Sequence, residues 1–103
     1  MGVNTTLTTP ETSQQTAFGV GALAGPNTTL GDTAFGYNAL NLSTTGKQNS
    51  AFGANALSSL VENNTSTAVG YNALRIATGT NNTGIGANSA YALTTGANNV
   101  FIG

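Results

Sequence analysis

Reaction chemistry needs groups that exchange protons, attack carbonyls or hold metals, and this sequence carries few of them. Its 103 residues hold three carboxylates (Glu11, Asp32 and Glu62), two cations (Lys47 and Arg75), and neither histidine nor cysteine. The usual base for a serine or threonine nucleophile is therefore missing. The carboxylates fall at unrelated places, so no general acid–base pair is built in. Thiolate–zinc sites and disulfides are excluded. Calcium-binding β-roll repeats need an aspartate in every copy, and Asp32 stands alone. An enzyme is not expected, and neither are catalytic residues, a cofactor or a metal.

Weaker motifs have ordinary explanations. Gly19-Val20-Gly21-Ala22-Leu23-Ala24-Gly25 has one residue too many for a dinucleotide fingerprint, and no helix is expected after it. Asn4, Asn27, Asn41, Asn63, Asn64 and Asn81 open Asn-x-Ser/Thr triplets, which chance supplies in a chain this rich in Asn and Thr. Met1-Gly2 with Thr6 fits a myristoylation pattern, but Gly2 falls in a glycine column of its own. Asp32, Lys47, Glu62 and Arg75 read as solvated or weakly paired. Tyr37, Tyr71 and Tyr91 are the candidate ligand contacts, with packing between coils or chains as their commoner role.

A net charge of −1 offers no basic patch for nucleic acid or for an acidic membrane surface. No apolar run approaches the roughly 20 residues that span a bilayer. Met1-Gly2-Val3-Asn4-Thr5 lacks the basic start and apolar stretch of a secretory signal.

What organises the chain is repetition. Thr67-Ala68-Val69-Gly70-Tyr71-Asn72-Ala73-Leu74 recurs as Thr33-Ala34-Phe35-Gly36-Tyr37-Asn38-Ala39-Leu40 and as Ser50-Ala51-Phe52-Gly53-Ala54-Asn55-Ala56-Leu57. Looser copies begin at Thr16 and Thr83. The apolar residue before the glycine falls at 18, 35, 52, 69, 85 and 102, giving steps of 17, 17, 17, 16 and 17. Such a fixed short period marks a stack of like units. We divide the chain into a partial, divergent repeat at 1–15 and an array over 16–103. Its repeats are 16–32, 33–49, 50–66, 67–82 and 83–99, with a partial one at 100–103. Both ends cut through the unit, which reads as an excerpt of a longer array.

Within a repeat, Thr/Ser, Ala, a large apolar residue and Gly alternate with period two, as a strand does. Recurrent Gly and β-branched Thr argue against helix. Asn, or Gly21 in the first copy, marks a bend, because both tolerate a left-handed backbone. Ala-Leu and a further apolar residue (Leu42, Leu60, Ile76, Leu93) then suggest a second short strand. A second turn follows at Gly31, Gly46, Asn63, Gly79 and Gly96. The expected fold is all-β: a parallel β-solenoid of about 17-residue coils, two short strands per coil.

Stacking converts columns into ladders. Phe18, Phe35, Phe52, Val69, Ile85 and Ile102 are expected as the inward core ladder. Asn38, Asn55, Asn72 and Asn88 form the turn ladder, with amides able to bond along it. Ala17, Ala34, Ala51 and Ala68 form a smooth stripe expected to receive another chain. A core of about four sizeable side chains per coil is marginal alone, which favours homo-oligomers, a trimer first.

Thr-Ala-Phe-Gly, Thr-Ala-Val-Gly and Val100-Phe101-Ile102-Gly103 resemble the head repeats of trimeric autotransporter adhesins. The longer Thr-Ala-Val-Gly-Tyr-Asn-Ala-Leu form is similar to arrays in bacteriophage tail fibres. So are the turns Thr44-Thr45-Gly46-Lys47-Gln48-Asn49 and Thr94-Thr95-Gly96-Ala97-Asn98-Asn99. The resemblance covers about residues 16–103 and implies a left-handed β-roll assembled as a homotrimer. It further implies a virion or cell-surface location.

The expected function is thus a structural shaft or head segment of a homotrimeric extracellular fibre that serves attachment to a host cell surface. Its partners would be its own copies and a host receptor or glycan, without nucleic acid or membrane insertion. An adhesin head gripping matrix protein or glycan is the alternative. An ice-binding solenoid is a weaker one, since the Thr-x-Thr form, as in Thr78-Gly79-Thr80, does not recur in register on every coil.

Overall fold

The structure, a computed structural model, describes residues 14–25, 31–59, 64–92 and 95–103. Glu11, Glu62, Asn4, Asn27, Asn63, Leu60, Leu93, Thr94 and the Met1–Gly2 start lie outside the described residues. The fold is an all-β parallel solenoid. Its strands are β1 (Thr16–Phe18), β2 (Thr33–Phe35), β3 (Ser50–Phe52), β4 (Thr67–Val69), β5 (Thr83–Ile85) and β6 (Val100–Ile102). They form one sheet in sequence order, every pair parallel and in register: Phe18 with Phe35, Phe35 with Phe52, Phe52 with Val69. The shorter step before Ile85 does not disturb that register, since Val69 still pairs with Ile85 and Ile85 with Ile102.

The expected second strand is replaced by consecutive turns. Asn38, Asn55, Asn72 and Asn88 have φ of 56–61°, and two residues on, Leu40, Leu57 and Leu74 have φ of 49–50°. A strand needs extended dihedrals, so left-handed residues at every second position rule one out. The amides divide their bonding instead. Ala39 N–H donates to Gly36 O and Asn41 N–H to Asn38 O within the coil, while Leu40 N–H donates to Ala56 O on the next coil. The same alternation runs through Ala56, Leu57 and Ser58. Every second amide thus turns the chain and the ones between stack it.

A left-handed leucine costs roughly 1–2 kcal/mol, whereas burying its side chain contributes about 1.5–3 kcal/mol. Burial wins here, because Leu40, Leu57 and Leu74 are wholly enclosed. Those leucines, with Ala22, Ala39, Ala56 and Ala73, line the inside of the turn layer.

The strand layer faces them with alanines, which reverses the expected orientation. Ala34, Ala51 and Ala68 are fully buried and Ala17 nearly so, while Phe18, Phe35, Phe52, Val69, Ile85 and Ile102 are exposed by 39–77%. The large ladder is therefore the outside of the strand and the alanine stripe its inside. The reason is clearance. At Gly84, which continues the alanine column, an added Cβ would lie 2.9 Å from Leu74 Cγ. With a leucine pressing that closely, the inward strand position holds a methyl group or less.

The last coil exchanges sizes. Ala90 takes the leucine position, Gly84 the alanine position, and Phe101 enters the inward column opposite Gly84. Ser89 Oγ donates to Phe101 O at 3.1 Å, which sets the ring's residue over the turn holding the smaller Ala90.

Gly19, Gly36, Gly53, Gly70 and Gly86 close each strand with φ of 120–131°. A Cβ on Gly53 would sit 2.7 Å from the carbonyl carbon and oxygen of Gly70, so neither the dihedral nor the space admits a side chain.

Candidate functional surfaces

Three surfaces carry side chains that either chemistry or recognition would use: a buried polar ladder, an exposed apolar ladder, and the bends.

The buried ladder occupies the position just before each strand. Asp32, Asn49, Ser66 and Asn82 are each fully buried, and Asn99 continues the column. Each backbone carbonyl accepts from the strand of the preceding coil: Thr16 N–H bonds Asp32 O at 2.9 Å and Thr33 N–H bonds Asn49 O at 2.8 Å. Each side-chain oxygen then accepts an amide of the following coil. Asn49 N–H donates to Asp32 Oδ1 at 2.8 Å, Ser66 N–H to Asn49 Oδ1 at 2.9 Å, and Asn82 N–H to Ser66 Oγ at 3.3 Å. Asn99 N–H donates to Asn82 Oδ1 at 3.0 Å. Buried amides left unpaired cost about 1–3 kcal/mol each, so this chain of acceptors is what permits a polar seam inside the coil.

Asp32 is thereby corrected from a solvated charge to a buried one. Its Oδ2 accepts from Ser43 Oγ at 3.2 Å and its Oδ1 also accepts from Asn49 Nδ2 at 3.3 Å. These donors turn the carboxylate into a structural acceptor, aimed along the stack and away from solvent. The ladder was missed from sequence although a signal existed. The residue before each strand (Gln15, Asp32, Asn49, Ser66, Asn82 and Asn99) is polar in every coil.

The exposed apolar ladder is ordered. The Phe18 and Phe35 rings stack with centroids 5.4 Å apart at 15°, and Phe35 and Phe52 at 5.6 Å and 10°. Beyond the strand-closing glycines lies a second exposed column that includes Val20, Tyr37 and Tyr71. Tyr37 and Tyr71 are 57% and 54% exposed. Tyr91 stands elsewhere and is half-buried, its hydroxyl 2.8 Å from Arg75 Nη1 and its ring 5.6 Å from the guanidinium carbon. Arg75 is therefore held by Tyr91 across one coil step, whereas Lys47 is exposed.

At the bends, Asn72 Nδ2 donates to Asn88 Oδ1 at 3.2 Å, and Asn41 Nδ2 reaches Gly21 O at 2.9 Å. The other bend has its own left-handed column, Gly31, Gln48, Thr65, Asn81 and Asn98, at φ of 55–75°. Gly31, expected beside Gly46, Gly79 and Gly96, belongs to this neighbouring column. Asn81 Nδ2 donates to Asn98 Oδ1 at 3.1 Å, and Thr65 Oγ1 pairs with Asn81 Oδ1.

Among the described residues no group of three or more carboxylates could hold a metal ion, and no helix is long and apolar enough to cross a membrane. The chain matches no protein-family model, no curated protein and no solved structure. The functional reading therefore stands on the repeat, its two faces and the family resemblance of its motifs.

Proposed function

We propose that the chain is a shaft or head segment of a homotrimeric extracellular fibre, of the phage tail-fibre kind, serving attachment to a host cell surface. The observation that carries this reading is the uninterrupted stack. Six strands keep one register through a stepwise glycine ladder, and their polar seam passes hydrogen bonds from coil to coil. Such a body is built to extend and to resist bending, and strands β2 to β5, each paired on both sides, give proteases little to open. Its task is mechanical: to hold a recognition element away from its base.

The expected result is a trimer that survives an unheated denaturing gel and resists protease digestion. A monodisperse monomer by light scattering that proteases clear rapidly would contradict the reading. A second reading, an adhesin head that binds its own glycan or protein, is favoured by the pair of exposed tyrosines. Binding on a glycan or matrix-protein array that Tyr71→Ala removes would select it over a passive shaft.

A further inference from the structure

We infer that the exposed ladder running from Phe18 to Ile102, with the adjoining Tyr37–Tyr71 column, is the surface on which copies of this chain join, side by side, parallel and in register. The alanine stripe cannot serve, because it is enclosed within the coil. The inference rests on the fibre reading in taking the working form to be an assembly, and it adds which face makes that assembly and in which direction.

Area is the first argument. With its side chains about half exposed, the face offers on the order of 700 Å² of apolar surface, taking roughly 150–250 Å² for each aromatic side chain. Typical monomers expose patches of about 300–600 Å², whereas a standard interface takes about 800 Å² from each partner. The face is larger than a lone chain ordinarily leaves in water and close to what one stable contact uses.

The nature of the occupant follows from period and charge. The side chains repeat at the coil spacing of about 4.8 Å. A partner that meets them step for step must carry the same period, and a second copy does. The ladder's residues are uncharged, since Lys47, Arg75 and Asp32 occupy other columns, so like faces meet without repulsion. The rings are already ordered by stacking on one another, which lowers the cost of immobilising them on contact.

Direction follows from the gradient along the ladder. It is aromatic over Phe18, Phe35 and Phe52 and aliphatic over Val69, Ile85 and Ile102. A parallel, in-register arrangement packs stacked rings against stacked rings and places the same residue of every copy at one level.

The test uses the whole chain. Sedimentation equilibrium is measured for wild type, Phe35→Lys and Thr45→Lys, the last being exposed on the returning segment. The account expects wild type and Thr45→Lys at one multiple of 10.2 kDa, and Phe35→Lys at 10.2 kDa with unchanged circular dichroism. An assembly that persists in Phe35→Lys overturns the assigned face while leaving the fibre reading intact. A wild-type monomer overturns both.

Should Phe35→Lys fail to fold, Phe18→Cys supplies an independent readout, because the chain has no cysteine of its own. In-register parallel copies form an interchain disulfide through Phe18→Cys alone. A disulfide that forms only when Phe18→Cys and Ile102→Cys chains are mixed would overturn the parallel arrangement.

Discussion

Ala51 and Phe52 are neighbours in one three-residue strand, repeated with little change in every coil, and they meet opposite fates. Ala51 is wholly enclosed and Phe52 is 42% exposed. In an ordinary globular domain the larger apolar side chain goes inside, because burial contributes in proportion to area. Here the space is already filled from the other layer. The turn segment brings a leucine into each of the first four coils (Leu23, Leu40, Leu57 and Leu74), and the strand can answer it only with a methyl group or less. The larger residues are left on the outside, where they stack with one another. A solenoid with leucines on one layer thus inverts the usual link between side-chain size and burial, and the apolar area it leaves out becomes available for assembly.

That contrast can be broken most directly from the inside. Ala51→Phe should cost about 3 kcal/mol or more, since overpacking typically costs 1–3 kcal/mol and, by the repeat from Gly84, this site faces a leucine and a backbone carbonyl. A cooperative loss of stability in urea is the readout. Leu40→Ala attacks the same contact from the turn layer and should cost about 3 kcal/mol, near the middle of the range for buried Leu→Ala. The strain of the left-handed position remains in that variant, so its loss is one of burial alone.

The polar seam ranks next. Asp32→Ala leaves the Asn49 amide without its acceptor, at a cost of about 2 kcal/mol. Asp32→Asn restores an oxygen of the kind used by Asn49 and Asn82, and should recover most of that loss in the same urea titration. Smallest is the outer ladder. Phe52→Ala should change the stability of a dissociated chain by about 1 kcal/mol or less, measured at concentrations below assembly. The same substitution should raise the concentration at which copies associate.

Period, strand position and the bend were legible because each is a local property. Alternation places Thr33-Ala34-Phe35 in a strand, and only a left-handed position explains a column that accepts Asn and Gly alike. Which way the strand faced was not local. Both faces are apolar, so alternation distinguishes two sides without saying which is inside, and the answer lay in the leucines of another segment. A sequence signal did bear on it. The inward column stays small (Ala17, Ala34, Ala51, Ala68, Gly84) until Phe101, where its leucine partner has shrunk to Ala90. The outward column meanwhile varies freely among Phe, Val and Ile.

The second strand was read from apolar spacing in Ala39-Leu40-Asn41-Leu42, but left-handed leucines are rare enough that spacing alone would not propose them. Asp32, expected to be solvated or weakly paired, is buried instead. Its column of buried Asn and Ser shows that it holds an acceptor's place.

The orientation of the strand is the claim on which the rest depends, and an isotope-filtered NOE spectrum restricted to intrachain contacts tests it most directly. By the repeat, the Gly84–Leu74 approach places the Ala51 methyl against Leu40. The account predicts strong Ala51 methyl to Leu40 methyl cross-peaks and none from the Phe52 ring to Leu40. Strong intrachain cross-peaks between the Phe52 ring and Leu40, with Ala51 silent, would contradict it.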